Sequence, residues 1–202
     1  MISLKLSVNL YLQIVIFLLF SNNVLSLESE IKYDKWLSFH AIYDDVDYFN
    51  ASTEHMGEQG EITFFVSKKV KECHLWEMSL TVLTDAQALR AFETTILSGR
   101  IRVDENPIHK ANYYIWFDKG DDAFYMEISD VGEEDLLIEE IKQGGRLRIE
   151  VGINERQFII GFPLSGANDA LERAELLCQN FKPDKEYFGE IKRQASKDQF
   201  EI

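Results

Sequence analysis

The sequence predicts a mainly β domain of the α+β class, an antiparallel β-sandwich or curled sheet with a C-terminal helix packed on it. Three observations support this fold class. Short segments of alternating polar and apolar residues recur along the chain, turn residues join many of them as hairpins, and the main amphipathic helix comes late. We expect roughly seven short strands.

Three strands are predicted in the N-terminal half. Residues 36–43 alternate loosely, residues 61–67 are rich in β-branched and aromatic side chains, and residues 73–83 give the clearest two-residue period. Residues 44–60 are polar and rich in turn formers, and they are predicted to form a loop.

A helix is predicted after the third strand. Asp85 stands at the N-cap position, and Leu89, Phe92 and Ile96 follow at helical spacing. Gly99 stands where a C-cap glycine belongs, so the helix is expected to end there.

Five strands and two helices are predicted in the remainder of the chain. The strands comprise residues 100–104, 113–117, 123–129, 146–153 and 156–162. A turn at 118–122 and a second turn near 154 close two hairpins. Three acids, Glu133, Glu134 and Asp135, open a short helix that ends at the glycine pair 144–145. Ser165 is the predicted N-cap of the main helix, whose apolar stripe includes Cys178.

The chain opens with a predicted signal peptide over residues 1–26. Lys5 gives a positive start, residues 10–20 are almost wholly apolar, and Val24 and Ser26 suit a signal peptidase cut after Ser26. The apolar run is shorter than the about 20 residues of a membrane-spanning helix, although an uncleaved anchor is the alternative. We therefore expect a periplasmic or secreted protein without a transmembrane segment in the mature chain. A single domain over 27–181 and a charged, flexible tail over 182–202 would follow.

The charge balance limits the partners. The chain has 21 basic and 35 acidic residues. The leader holds one of the basic residues and none of the acids, so the mature chain would have a net charge of −15. Such a surface repels nucleic acid and anionic membranes, which leaves another protein, a basic one included, as the expected partner. For the acidic charge itself, we favour the simpler explanation of a solvated surface that keeps the protein soluble.

Two cysteines, Cys73 and Cys178, are the only ones in the sequence. An even number of cysteines in an exported protein favours a disulfide, and this one would close a loop of about 105 residues. Two separately buried thiols are the alternative.

No residue pattern predicts an enzyme, a cofactor or a metal site. The four histidines, at positions 40, 55, 74 and 109, share no metal-binding spacing, and Ser165 lacks the glycine two residues earlier that a nucleophile elbow needs. Glu133 and Glu134 could serve a glycosidase, but a helix N-terminus accounts for them better.

Two short polar motifs in the predicted loop are also of interest. Asp44, Asp45 and Asp47 could place oxygens around Ca²⁺, although they match no EF-hand register, and calcium binding there stays open. Asn50 begins an N-glycosylation sequon, which matters only in a eukaryotic secretory pathway.

Aromatic residues on the predicted strands supply a candidate binding face. Tyr113 and Phe117 would share one face of a strand, with Tyr114 and Trp116 on the other, so both faces are apolar. Such a sheet is covered on both sides, which we favour, or presents one side to a partner. The candidate binding-face residues are Trp76, Tyr114 and Trp116.

Two C-terminal segments carry a family resemblance. Residues 136–151 read LLIEEIKQGGRLRIEV, and residues 162–178 read FPLSGANDALERAELLC. Together they resemble the C-terminal halves of exported bacterial proteins of the invasion-associated locus B kind and of the type VI secretion-associated VasI kind. The resemblance covers roughly residues 110–178. It implies a β-sandwich-like, periplasmic, non-enzymatic protein, and it transfers no functional residue.

The function expected from the sequence is that of an exported, non-enzymatic binding or accessory protein of the bacterial envelope, linked to virulence or secretion. An acidic inhibitor or immunity protein that neutralises a basic toxin or a lysozyme is the alternative. A hydrolase of an envelope polymer is a further alternative.

Overall fold

The structure is a computed structural model that describes residues 28–43, 45–57, 60–83, 95–118, 123–153 and 156–182. Within them, ten strands form one antiparallel sheet with the order β1-β2-β3-β4-β5-β8-β7-β6-β9-β10. The strands are β1 Glu28–Tyr33, β2 Trp36–Tyr43, β3 Val46–Gly57, β4 Gly60–Lys69, β5 Glu77–Leu83, β6 Thr95–Val103, β7 His109–Asp118, β8 Ala123–Ser129, β9 Arg146–Ile153 and β10 Arg156–Pro163. The helices are α1 Glu134–Gln143 and α2 Ala167–Asn180.

The sheet curls until its last strand, β10, packs against β3 near the opposite end. The Trp36 indole of β2 donates a hydrogen bond to the Pro163 carbonyl oxygen of β10 at 2.9 Å. The rings of Phe64 and Phe162 lie 5.5 Å apart across the same junction. The right-handed twist that accumulates over ten strands brings these ends together. Of the two predicted architectures, the curled sheet with a packed C-terminal helix is confirmed.

Helix α2 packs on the inner face of the sheet, against β1 to β4. Its buried residues recur at helical spacing and are mostly small, which lets the helix lie close to the strands: Ala167, Ala170, Leu171, Ala174 and Cys178. Helix α1 adds Leu137, Ile138 and Ile141 to the same core. We call the helix-bearing side the inner face and the opposite side the outer face.

The prediction of a loop at residues 44–60 is wrong over most of that segment. Strand β3 is paired along its length with β2 and β4. Several of its polar side chains form hydrogen bonds with residues outside the strand. The Ser67 hydroxyl, for example, donates to the Asn50 side-chain oxygen at 2.6 Å. Strand pairing therefore outweighs the turn propensity of this polar sequence.

Two predicted helix ends also differ from the structure. Ile96 and Gly99 lie in strand β6 rather than at the end of a helix. A side chain at Gly99 would overlap the Glu150 carbonyl oxygen and the Tyr113 ring, so this glycine permits close strand packing. Ser165 is exposed and does not cap α2, whose N-cap is Gly166 with a φ of 91°.

Several predictions lie outside the described residues. They are the signal peptide at 1–26, Asp44, the helical positions 85, 89 and 92, the turn residues 119–122, and the tail beyond Lys182. In the part of the chain that the structure describes, no helix is long and apolar enough to cross a membrane.

Candidate functional site

A disulfide joins Cys73 and Cys178, as predicted, with their Cα atoms 5.8 Å apart. Cys73 lies in the turn between β4 and β5, and Cys178 lies in the last turn of α2. The bond closes over a small apolar cluster that contains Phe49 and Ala174. It therefore fixes the end of α2 to the sheet.

Lys68 is a buried cation beside this disulfide. Its side chain is only 2% exposed, and its Nζ donates to the Cys73 carbonyl oxygen at 2.6 Å. The same Nζ lies 3.9 Å from the centre of the Trp76 ring and 3.9 Å from a carboxylate oxygen of Glu175. Burial lowers the pKa of Lys68, and the Glu175 carboxylate opposes that shift. The ammonium group of Lys68 thus covers one face of the Trp76 ring.

A cavity of about 580 Å³ lies next to Trp76, where α1 begins. Its acidic lining residues are Glu133, Glu134 and Asp135, which complement the dipole of α1. Glu134 Oε1 is buried without a hydrogen-bond partner. Loss of surrounding water, and secondarily the Asp135 carboxylate, raises the pKa of Glu134 above its ordinary value. Glu134 and Asp135 lie in the first turn of α1, as predicted, but burial disfavours the charged form of Glu134 there.

The outer face of the sheet bears a second, different cavity, a groove of about 350 Å³. We call it the outer groove. Six aromatic residues of the described segments line it: Phe39, Tyr43, Tyr48, Phe65, Trp116 and Tyr125. They come from β2, β3, β4, β7 and β8, so the groove crosses the central strands of the sheet. Neither described helix packs on this face.

The rings at one end of the outer groove are ordered by strand pairing. Trp116 of β7 pairs directly with Tyr125 of β8, and their rings stack at 5.6 Å with an interplanar angle of 16°. Tyr114, 39% exposed, lies 5.8 Å from Trp116 and extends this aromatic surface. At the other end, Phe39 and Phe65 meet edge to face at 6.4 Å. Strong aromatic contacts therefore hold the walls in place.

Two carboxylates, from Glu77 and Glu127, also line the outer groove. Partial loss of water raises the pKa of Glu77; Lys69 opposes the shift, whereas Glu72 and Glu127 add to it. None of the described residues that line the groove is basic. The lining of the groove thus combines aromatic rings with two carboxylates, and Lys69 lies near Glu77.

The three candidate binding-face residues therefore do not share one face of the sheet. Tyr114 and Trp116 lie on the outer face, and Trp116 lines the outer groove. Trp76 lies apart from them, packed against the core on the inner side of the sheet and beside Lys68.

The aspartates proposed for calcium have other roles where they are described. Asp47 is 8% exposed, and its Oδ1 lies 2.7 Å from Nε2 of His40, which stacks on Phe49. Asp45 has a φ of 61° in the tight turn between β2 and β3. Among the described residues, no group of three or more His, Cys, Asp or Glu side chains could hold a metal ion.

The glycosylation sequon is buried in the fold. Asn50 is 7% exposed and lines the outer groove. Its side-chain nitrogen donates to the Tyr48 carbonyl oxygen at 3.3 Å, and its oxygen accepts from Ser67. Both ends of the amide are therefore used within the sheet.

No protein-family model matches the sequence, and no curated protein matches it at the sequence level. The fold is similar to the crystal structure of invasion associated protein B from Bartonella henselae. The TM-score is 0.54, the match covers 75% of this chain and 98% of that chain, and 16% of the aligned residues are identical. The structure thus confirms the resemblance carried by the two C-terminal segments, as a likeness of fold to invasion associated protein B.

Proposed function

We propose that this protein is an exported, non-enzymatic binding protein of the bacterial envelope, and that its ligand binds in the outer groove. The observation that carries the proposal is the row of aromatic side chains on a sheet face that neither described helix covers. The signal-peptide pattern supports export, and the fold likeness to invasion associated protein B supports a bacterial accessory or virulence-related role.

The construction of the outer groove suits ligand binding. Exposed aromatic surface is costly to keep in water, and such patches commonly mark contact with a partner. Trp and Tyr are also the residues most enriched in binding hot spots. In this protein Trp116 lies on β7 and Tyr125 lies on β8. Each of these strands has a neighbouring strand on both sides, so a ligand would meet a preformed surface.

The test compares wild-type protein with the Trp116→Ala/Tyr125→Ala double variant. Each protein is immobilised and exposed to bacterial envelope extract, and bound material is identified by mass spectrometry. We expect wild type to retain a reproducible ligand that the double variant loses. A matched control is Leu176→Ala, which truncates an apolar side chain that is 60% exposed on α2.

Thermal unfolding of each variant must first show an intact fold. Equal retention by wild type and the double variant would contradict the proposed site. The absence of any reproducible ligand would contradict the proposed function itself.

An inhibitor or immunity protein that acts on a basic toxin or lysozyme is the second candidate function. The net charge of −14 and the carboxylates of the outer groove favour it. Loss of the activity of a cationic enzyme on mixing, reversed by salt, would support this role. Unchanged activity at low salt would remove it.

A further inference from the structure

We propose that the outer groove recognises a lysine or arginine side chain of an extended basic polypeptide segment. The charged group would lie against the Trp116 and Tyr125 rings and pair with the carboxylates of Glu127 and Glu77. This inference rests on the proposed function and names the chemistry of its ligand.

The first support is the charge of the groove lining. Ser79 of β5 pairs with Glu127 of β8, so Glu77, two residues before Ser79, is a diagonal neighbour of Glu127 on the same face. Diagonal neighbours in an antiparallel sheet are about 7–8 Å apart. One cationic group can therefore interact with both carboxylates. Burial raises the pKa of Glu77 although Lys69 lies near it, so a further cation beside Glu77 would stabilise its charged form.

The second support is the position of the rings. Tyr125 and Glu127 are successive outward residues of β8, about 7 Å apart along the strand. Trp116 stacks beside Tyr125. A guanidinium group can lie flat on such a ring while it donates two hydrogen bonds to a neighbouring carboxylate. The outer groove offers both partners side by side.

The third support is the length of the outer groove. It runs from Phe39 on β2 to Trp116 on β7, across six neighbouring strands. Strands lie about 4.8 Å apart, so the groove is about 24 Å long when it is measured along the curved sheet. An extended segment of about seven residues has this length. The edge-to-face pair of Phe39 and Phe65 would contact apolar side chains at the far end of the segment.

Other ligand classes fit less well. Anionic ligands would be repelled by Glu77, Glu127 and a protein with a net charge of −14. A neutral oligosaccharide could stack on the rings, but it would bring no positive charge to pair with either carboxylate. A basic segment complements the rings and the charges together.

The probe is a hexa-arginine peptide, with hexa-citrulline as its uncharged analogue. Binding is followed by calorimetry at physiological salt, with wild type, the groove variant Glu77→Gln/Glu127→Gln, and the control variant Asp169→Asn/Glu172→Gln. The control makes the same change of net charge on exposed positions of α2, away from the groove. We expect the groove variant to weaken hexa-arginine binding at least about tenfold, the control to stay within about twofold, and hexa-citrulline not to bind.

Three results would overturn the inference. They are no binding of hexa-arginine to wild type, equal weakening in the groove and control variants, and Trp116-dependent binding of an N-acetylglucosamine hexasaccharide in place of the peptide. The envelope-capture test distinguishes failure of the basic-segment proposal from failure of the proposed binding function. If Trp116→Ala/Tyr125→Ala abolishes capture while Glu77→Gln/Glu127→Gln does not, the groove binds a ligand that is not cationic.

Discussion

Replacing both cysteines with alanine measures how much of the stability comes from one covalent bond. Cys73 and Cys178 are 105 residues apart in sequence. The closed loop contains strands β5 to β10, helix α1 and most of α2. In the chain-entropy account, a loop of this length restricts the unfolded chain by about 4.7 kcal/mol. Because domains of this size are stable by roughly 5–15 kcal/mol, the bond supplies a large share of the total.

The assay is urea unfolding of wild type and of Cys73→Ala/Cys178→Ala at 25 °C, followed by tryptophan fluorescence. We expect the free energy of unfolding to fall by about 4–5 kcal/mol. Wild type held in a reducing agent is the control, because it loses the bond without losing the sulfur atoms. Cys178 is buried beside Phe49 and Ala174, so the alanine variant should be slightly less stable than the reduced protein.

A decrease below about 1 kcal/mol in both samples would refute this reasoning. It would mean that the unfolded chain is already compact around the two cysteines, or that other contacts hold α2 on the sheet. A large decrease in the alanine variant alone would assign the effect to side-chain packing rather than to the bond.

Two further predictions concern single residues. Gly99→Ala should destabilise the protein by roughly 3 kcal/mol, because the new methyl group overlaps the Glu150 carbonyl oxygen and the Tyr113 ring. Gly152→Ala should not destabilise the protein, because its methyl group would lie no closer than 3.9 Å to any neighbour. Equal urea midpoints for Gly99→Ala and Gly152→Ala would contradict this prediction. Glu134→Gln should raise the urea midpoint at pH 7, and the gain should shrink as the pH falls towards 4.5. The gain is expected because a carboxyl whose pKa is raised in the folded state destabilises the fold when it ionises, and glutamine carries no charge. A gain that does not depend on pH would exclude this cause.

Local alternation was enough to predict several strands. β2, β8 and β9 have the predicted bounds, and β8 and β9 each pair with a neighbouring strand through a hairpin. β3 could not be found in this way, because its polar residues are satisfied by partners such as Ser67, 17 positions from Asn50. Gly99 likewise lies in a strand that pairs with Val151 of β9, which is distant in sequence.

The outer groove was only partly predictable. The two-residue alternation is visible in the sequence, and it is enough to place Tyr114 and Trp116 on one face of β7. Trp116 lines the same groove as Phe65 only because the strand order is β4-β5-β8-β7, in which β5 is followed by β8 rather than by β6. Trp76, one residue before β5, packs instead against the core on the inner side of the sheet.

The burial of Asn50 has a practical consequence for how the protein is produced. In a eukaryotic secretory host, the sequon would be open to glycosylation while the chain is still unfolded. The glycan would then be attached to the nitrogen that bonds the Tyr48 carbonyl oxygen, on the floor of the outer groove. Such a preparation would misfold or carry a sugar in the binding surface, so bacterial expression, or a Ser52→Ala change that removes the acceptor motif, is the appropriate source for the binding experiments.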